Sequence, residues 1–237
     1  MLAAADDVEV VPVTRAVADY DDLPALRRAL EGVDTLVLVS SDGESDRVLQ
    51  HHLNLAEAVG SSRVGHVVLL SSLDTDVDSP FCYARVNGLT ERAVVAAADA
   101  VTLVRASIYT EFFTTLLDGA TADGELRLPA GDARVSLVAR LDVAACLAAC
   151  ALRGPSGPHD VTGPVALSMD EIAAARGARY VPVSEAEFAA AVAHRETPWW
   201  AYAYTGMFGS IREQRWAVVS DAVPLLTGRP AAAAQLA

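Results

Sequence analysis

The sequence predicts an α/β protein built on a parallel, doubly wound sheet, and three observations carry that prediction. Short apolar runs alternate with helix-like stretches of about 10–15 residues through the first half of the chain. Three of the runs, "TLVLV", "VVLL" and "VTLV", are apolar at consecutive positions, as strands must be when both faces of their sheet are covered. Hydrophobic residues make up 52% of the 237 positions and charged residues 21%, which supplies a substantial core and argues against disorder.

Taken in order, "VEVVPV" (Val8 to Val13) reads as a short first strand. The helix "DDLPALRRALEG" follows, with Asp21 or Asp22 as N-cap, Pro24 in the first turn, where a missing N–H costs nothing, and Gly32 as the stop. "DTLVLVSS" (Asp34 to Ser41) is a second strand and "SDRVLQHHLNLAEAVG" a second helix. "HVVLLSSL" is a third strand, "YARVNGLTERAVVAAA" a third helix, and "AVTLVRAS" (Ala100 to Ser107) a fourth strand. Beyond Thr115 the alternation breaks. An extended stretch and an alanine-rich helix lead to a turn-rich link at Gly154 to Gly157. Strand, turn and helix follow in "HDVTGPVALSMDEIAAARG", where Ser168 and Glu171 stand in capping-box spacing. The remainder reads as helical, with an aromatic knot in "PWWAYAYTGMF" and a fraying tail in "AAAAQLA". The expected organisation is a sheet-bearing core over residues 1–115 and a small, mostly helical subdomain over residues 116–237, intertwined as effectively one domain.

The formal net charge of −13 excludes a nucleic-acid backbone and an anionic membrane as partners, since either needs a cationic face. A small-molecule ligand fits better. All eighteen basic residues are arginine, so the chain can build no Schiff base, no P-loop lysine and no Tyr–Lys catalytic pair. Cys146 and Cys150 lie four apart on one face of a helix, a packing arrangement rather than a disulfide framework. His51 and His52 are adjacent on a helix and face different ways, which suits solvated or half-buried surface positions better than a metal pair. No metal is expected. The first residues carry no signal-peptide pattern, and no run reaches the ~18 apolar residues of a membrane span, so a cytoplasmic location is expected.

One order of features is familiar. "ADYDD" follows a strand, then come "LVLVSS", "VVLLSS", the helix bearing Tyr83, "VRASIYTEFF", "DVTGPVALSMDEIA" and a terminal "LLTGRP". Together they resemble the NmrA-like, atypical short-chain dehydrogenase/reductase family, and especially its type 2 NAD(P)H:quinone oxidoreductase branch. The likeness covers nearly the whole chain and rests on order and spacing rather than on one motif. It implies a Rossmann-like fold and NAD(P) as cofactor. It further implies that Asp19 and Tyr20 meet the adenine, that Ser40 and Ser41 border the pyrophosphate, and that Ser71 and Ser72 lie beside the nicotinamide. Ala106, Ser107 and Ile108 match the loop over the nicotinamide ribose; Tyr109, Glu111, Phe112 and Phe113 match the substrate mouth. Each position also has a plainer reading. A serine closing a strand is a good turn residue in any fold, Asp19 suits a loop or cap, and the aromatic residues suit a core.

Two departures from the family pattern matter. Members open with a strand, a glycine-rich G-x-x-G-x-x-G loop, a helix and a second strand, whereas this chain begins where the third strand belongs. The resemblance thus implies an N-terminally truncated sheet, lacking the loop whose N–H groups hold a pyrophosphate, and NAD(P) binding that is weak or absent. The second departure concerns Tyr83, twelve residues after Ser71. Classical reductases place a lysine four residues after the tyrosine; here that position is Asn87. Lowering a phenol from ~10 to ~7 takes about 4 kcal/mol, which a neutral amide does not supply. Tyr83 and Asn87 are therefore the candidate catalytic pair, acting as hydrogen-bonding groups that position a ligand, unless the Tyr83 ring merely packs.

The activity so implied is reduction of a quinone or conjugated carbonyl. The alternatives are a non-catalytic ligand-binding or regulatory protein and a cofactor-free isomerase or cyclase on the same scaffold. The shortened sheet carries a further expectation: either Val8 to Val13 pairs directly beside Thr35 to Val39, or an apolar sheet face stays open for a homodimer or another covering partner.

Overall fold

The structure, a computed structural model, describes residues 8–236. Its elements are α1 (Leu23–Ala29), β1 (Thr35–Leu38), α2 (Ser45–Gly60), β2 (His66–Ser72), α3 (Cys82–Ala97), β3 (Val101–Ala106) and α4 (Thr110–Ala120). Then come β4 (Thr121–Ala122), β5 (Glu125–Leu128), β6 (Arg134–Val135), α5 (Arg140–Arg153), β7 (His159–Val161), β8 (Leu167–Ser168), α6 (Met169–Ala175), β9 (Arg179–Pro182), α7 (Glu185–Val192), α8 (Pro198–Arg212) and α9 (Ala222–Thr227).

The main sheet has the order β1-β2-β3-β7, all parallel, with Leu38 beside Leu69 and Ser72 beside Ala106. Strand alternation divides its side chains between two cores. Leu38, Val67 and Leu69 pack with Leu55, Val59 and Val94 of α2 and α3. Val68, Val104 and Ala106 pack with Val143, Cys146, Cys150, Val223 and Leu226 of α5 and α9. Burial pushes the Cys146 thiol up to about 12, so it stays a protonated packing group. A third core joins α4 and β5 to α6, α7 and α8 around Phe113, Met169 and Phe208.

Local chemistry explains the boundaries. The Asp22 carboxylate accepts the Ala25 N–H at 2.9 Å to open α1, with Pro24 inside the first turn. Gly32, at φ +77°, turns the chain out of it. At α6 the Ser168 hydroxyl accepts the Glu171 N–H while Glu171 reaches back to the Ser168 N–H, completing the capping box.

Two expectations are corrected. Residues 8–13 form no strand, and β1 is the outer strand of its sheet. A strand needs a partner for its N–H and C=O groups; an open groove separates this segment from β1, and Pro12 lacks a donor. The sheet face expected to stay open is covered by α5, supplied from the far half of the chain. What remains open is the edge of β1.

Candidate active site

The carboxyl ends of β1, β2 and β3 converge, as ligand-bearing ends do in open parallel sheets. Helix α3 lies across them and presents Tyr83, Asn87 and Thr90 on one face, three and four residues apart. Asn87 donates its side-chain N–H to the Ser72 hydroxyl at 2.8 Å, and Ser72 donates to the Asp74 carbonyl at 2.6 Å. The Tyr83 phenol donates to the Gly43 carbonyl in the loop after β1. Burial pushes the Tyr83 phenol above the ordinary range, so at neutral pH it is a neutral donor. Arg85 leaves this face and is held by the Ser79 carbonyl at 2.6 Å and the Tyr202 hydroxyl at 2.7 Å. Among the described residues, no cation takes the place of the classical lysine next to Tyr83.

Helix α3 can sit this close because Gly88 has no side chain: a Cβ there would lie 2.1 Å from the Thr75 carbonyl oxygen. Gly206 does the same for α8, where a Cβ would lie 2.6 Å from the Pro80 carbonyl. That approach brings Trp199 and Trp200 against Tyr83, with ring centroids at 5.7 and 6.4 Å, and Tyr204 against Phe112 at 6.0 Å. A buried carboxylate locks the junction. Asp74 accepts from the Ser79 and Ser210 hydroxyls, both at 2.5 Å, and Ser210 accepts the Trp216 indole N–H at 2.7 Å. Arg215 stands 3.6 Å from the Asp74 carboxylate, so the charge is not left alone.

On the outer side, Asp19, Tyr20, Ser40 and Ser41 are brought together, and histidines do it. The Tyr20 ring stacks on His51 at 5.6 Å and its hydroxyl donates to the Val39 carbonyl at 2.9 Å. Ser41 Oγ lies 2.9 Å from His51 Nδ1. Asp19 accepts the Asp21 N–H at 3.0 Å, a local turn contact that holds its carboxyl below the usual range. His52 bridges the other way, 2.7 Å from the Thr90 hydroxyl and 3.0 Å from Ser40 Oγ. Both histidines are 1% exposed, which corrects the surface reading. Neighbouring helix positions point about 100° apart, and α2 is flanked on both sides: His51 faces the 19–21 loop and His52 faces α3. Asp19, Asp21 and His51 place ligand atoms within 4.8 Å of one another, but Arg47 donates to Asp21 at 3.0 Å and already supplies the positive charge.

The other expected positions divide. Ser71 is buried and, among the described residues, its hydroxyl has no partner. The Thr110 hydroxyl, at the start of α4, is in the same state. Ser107 is buried and hydrogen-bonded to Ser136, Ile108 belongs to a core, and Ala106 ends β3. Tyr109 lies under the Arg140 guanidinium at 5.2 Å. Glu111 accepts the Arg140 N–H at the start of α5, and Phe113 is fully buried against Phe208. Phe112 alone of the aromatic pair is half-exposed beside Tyr204. Sequence reasoning missed His51, His52, Thr90 and Asp74. The signal for Thr90 was its place seven residues after Tyr83.

Comparison with known proteins agrees with the fold. The family described as NAD(P)H-binding matches residues 3–154. The chain is 32% identical over 190 residues to quinone oxidoreductase 2 of Escherichia coli strain K12, a match covering 76% of this chain. The chain belongs to the NAD(P)H-binding, NmrA-like family of atypical short-chain dehydrogenase/reductases. That match spans 65% of the E. coli protein's own length, just under two thirds. An NAD(P)H azoreductase of Xenophilus azovorans is 30% identical over 239 residues, 97% of this chain and 82% of that protein. The structure of the E. coli NADPH-dependent quinone oxidoreductase complexed with NADPH superposes with a TM-score of 0.84 at 27% identity, covering 92% of this chain and 80% of that one. Among the described residues, no helix of this NmrA-like chain is long and apolar enough to cross a membrane.

Proposed function

We propose that the chain reduces a quinone or similar conjugated carbonyl with NAD(P)H, which it holds weakly. The observation that carries this reading is a pair of buried hydroxyls without partners among the described residues, Ser71 near the end of β2, beside the Ser72 that Asn87 holds, and Thr110 at the start of α4. Buried polar groups are rarely left unpaired unless a ligand or water completes them. These hydroxyls fit the polar nicotinamide and ribose end of a dinucleotide. The pyrophosphate end fits less well, because the 237 residues contain no G-x-x-G-x-x-G loop. NAD(P)H, when bound, supplies a hydride.

The chain's own residues do the remaining work. Ser71 and Thr110 orient the polar end of the cofactor. Asn87 holds the Ser72 hydroxyl in place, and Tyr83 offers a neutral O–H. A quinone suits such a donor, since the reduced ring spreads its charge and needs less proton donation than a simple ketone. Trp199, Trp200, Tyr204 and Phe112 form an aromatic wall at the mouth, a surface against which a flat conjugated acceptor stacks.

NADPH oxidation dependent on a soluble quinone, followed at ~1 mM NADPH, tests the reading. Turnover is expected, with Tyr83→Phe retaining about one tenth of it, the loss of one hydrogen bond. No turnover at any NADPH concentration would overturn it. One observation favours a second reading, that of a ligand-binding protein without chemistry: Tyr83 already donates to Gly43 and Asn87 to Ser72. Quinone binding without turnover would support that reading.

A further inference from the structure

Helix α8 lies along residues 74–83 through a single stripe. Trp199, Ala203, Gly206 and Ser210 follow one another at steps of four, three and four residues, so they share one face of the helix. Trp199 meets the Tyr83 ring at 5.7 Å, Gly206 lies against the Pro80 carbonyl, and Ser210 donates to the Asp74 carboxylate at 2.5 Å. The two segments therefore run antiparallel. Contacts of a glycine with a carbonyl and of ring with ring limit how close the helix comes but do little to fix it along its own axis. Among the described residues, the buried side-chain hydrogen bond between the two segments is the one from Ser210 to Asp74, and a second, from Arg85 to Tyr202, lies at the exposed rim. Asp74 also faces the other way. Its backbone carbonyl accepts the Ser72 hydroxyl at 2.6 Å, and Ser72 accepts from Asn87 at 2.8 Å. Beyond Ser210 the tie continues through Trp216, which donates its indole N–H to Ser210 at 2.7 Å and accepts the Ser136 N–H at 2.9 Å. The Ser136 hydroxyl then reaches Ser107, just past the end of β3, at 3.2 Å.

We infer that Asp74 is a positioning residue for the electron acceptor: its carboxylate fixes where α8 stands along its axis, and so how the Trp199–Trp200 wall stands to the Ser72 and Asn87 end of the site. The inference rests on the proposed reduction of a flat conjugated acceptor. Asp74 itself acts from a distance, since Ser210 lies eleven residues after Trp199, about 16 Å along the helix. The place calls for a carboxylate. Its Oδ2 accepts the Ser79 and Ser210 hydroxyls, both at 2.5 Å, while Oδ1 accepts the Asp76 N–H at 3.2 Å and faces the Arg215 guanidinium at 3.6 Å. All four neighbours are donors, so an asparagine there turns its NH2 toward two of them whichever way the amide sits. Stacking on the wall is made before and during the reaction alike, and a misplaced wall therefore weakens acceptor binding rather than the reaction step.

Steady-state kinetics of the full chain with NADPH and a soluble 1,4-naphthoquinone test this, and labelling with 5-fluorotryptophan adds a readout that needs no turnover. Ser210→Ala and Asp74→Asn are each expected to raise the KM for the quinone about fivefold or more, the loss of a hydrogen bond to a charged group, with kcat and the KM for NADPH within about twofold. Both should also move the fluorine resonances of Trp199 and Trp200. If Asp74→Asn does not fold, Ser210→Ala carries the test, because it removes the helix's side of the bond and leaves the carboxylate its other donors. A lowered urea midpoint with an unchanged quinone KM would overturn the inference, since the pair would then serve stability alone. A wild-type chain that turns over no quinone would overturn the proposed reduction instead, and the fluorine resonances would then decide this inference: moved, they support Asp74 as the residue that sets the wall; unmoved, they refute it.

Discussion

The two ends of the main sheet are finished to different degrees. Around β2 and β3 the strands have neighbours on both sides, helices on both faces and a buried carboxylate tying α8 to the loop that follows. Around β1 the edge is open, a groove runs beside it, and five valines of the first described residues and the strand end are exposed. The difference matches the division of labour in the proposed dinucleotide site. In that proposal the finished end, with Ser71, Asn87 and Tyr83, takes the nicotinamide half. The open end is where Tyr20, Ser41 and Asp42 meet the groove, with no glycine-rich loop in the sequence to cradle phosphates. Precise packing and loose packing thus coexist in one sheet, and substitutions should tell them apart.

The largest contrast is expected from backbone contact. Gly88→Ala should cost more than about 3 kcal/mol, because the Thr75 carbonyl 2.1 Å from the new Cβ belongs to backbone and has nowhere to retreat. Val11→Ala, on the open side, should cost less than about 0.5 kcal/mol. Urea midpoints measure both; equal shifts would erase the distinction between the two ends.

Acid should act next, through the seam between them. Burial holds His52 at about 4, against an ordinary value of 6.5, so the folded protein keeps it neutral while the unfolded chain binds a proton. A lowered histidine makes stability rise with pH where the unfolded state binds more protons. The contribution is fully present above the unfolded value and is lost as pH falls from about 6.5 to about 4, up to roughly 3 kcal/mol. His52→Gln, which can keep a contact to Thr90, should flatten the urea midpoint across that window. An unchanged slope would mean that His52 is not the titrating group.

Much of this was legible in the sequence. The continuous apolar strands, the Asp22 cap and Pro24, the Ser168–Glu171 capping box and the serines closing β2 each follow from local chemistry, and local chemistry decided them. Tertiary context decided the rest. Val8 to Val13 has the pattern of a strand but lacks the neighbour that a strand requires. Of the expected mouth residues Tyr109, Glu111, Phe112 and Phe113, the period of α4 carries Phe113 into a core, the plainer reading its aromatic character also allowed. His51 and His52 look polar and exposed until α2 is seen flanked on both sides. Asp74 and Ser210 lie 136 residues apart, so no local pattern could link them.

A smaller effect separates positioning from chemistry inside the finished end. Asn87→Ala should raise the KM for NADPH several-fold with little change in kcat, since Asn87 acts by holding the Ser72 hydroxyl, a contact worth about 1 kcal/mol. An equal fall in kcat at saturating NADPH would make Asn87 a participant in the reaction step itself.

In the proposed function this chain builds the nicotinamide half of the site and leaves the pyrophosphate without its usual anchor. Calorimetric or fluorescence titration with NADPH measures this directly. A dissociation constant weaker than about 100 μM is expected, equivalent to less than ~5.5 kcal/mol of binding free energy. A low-micromolar constant would contradict it, showing that the strand ends of β1, β2 and β3 hold the dinucleotide without a glycine-rich loop.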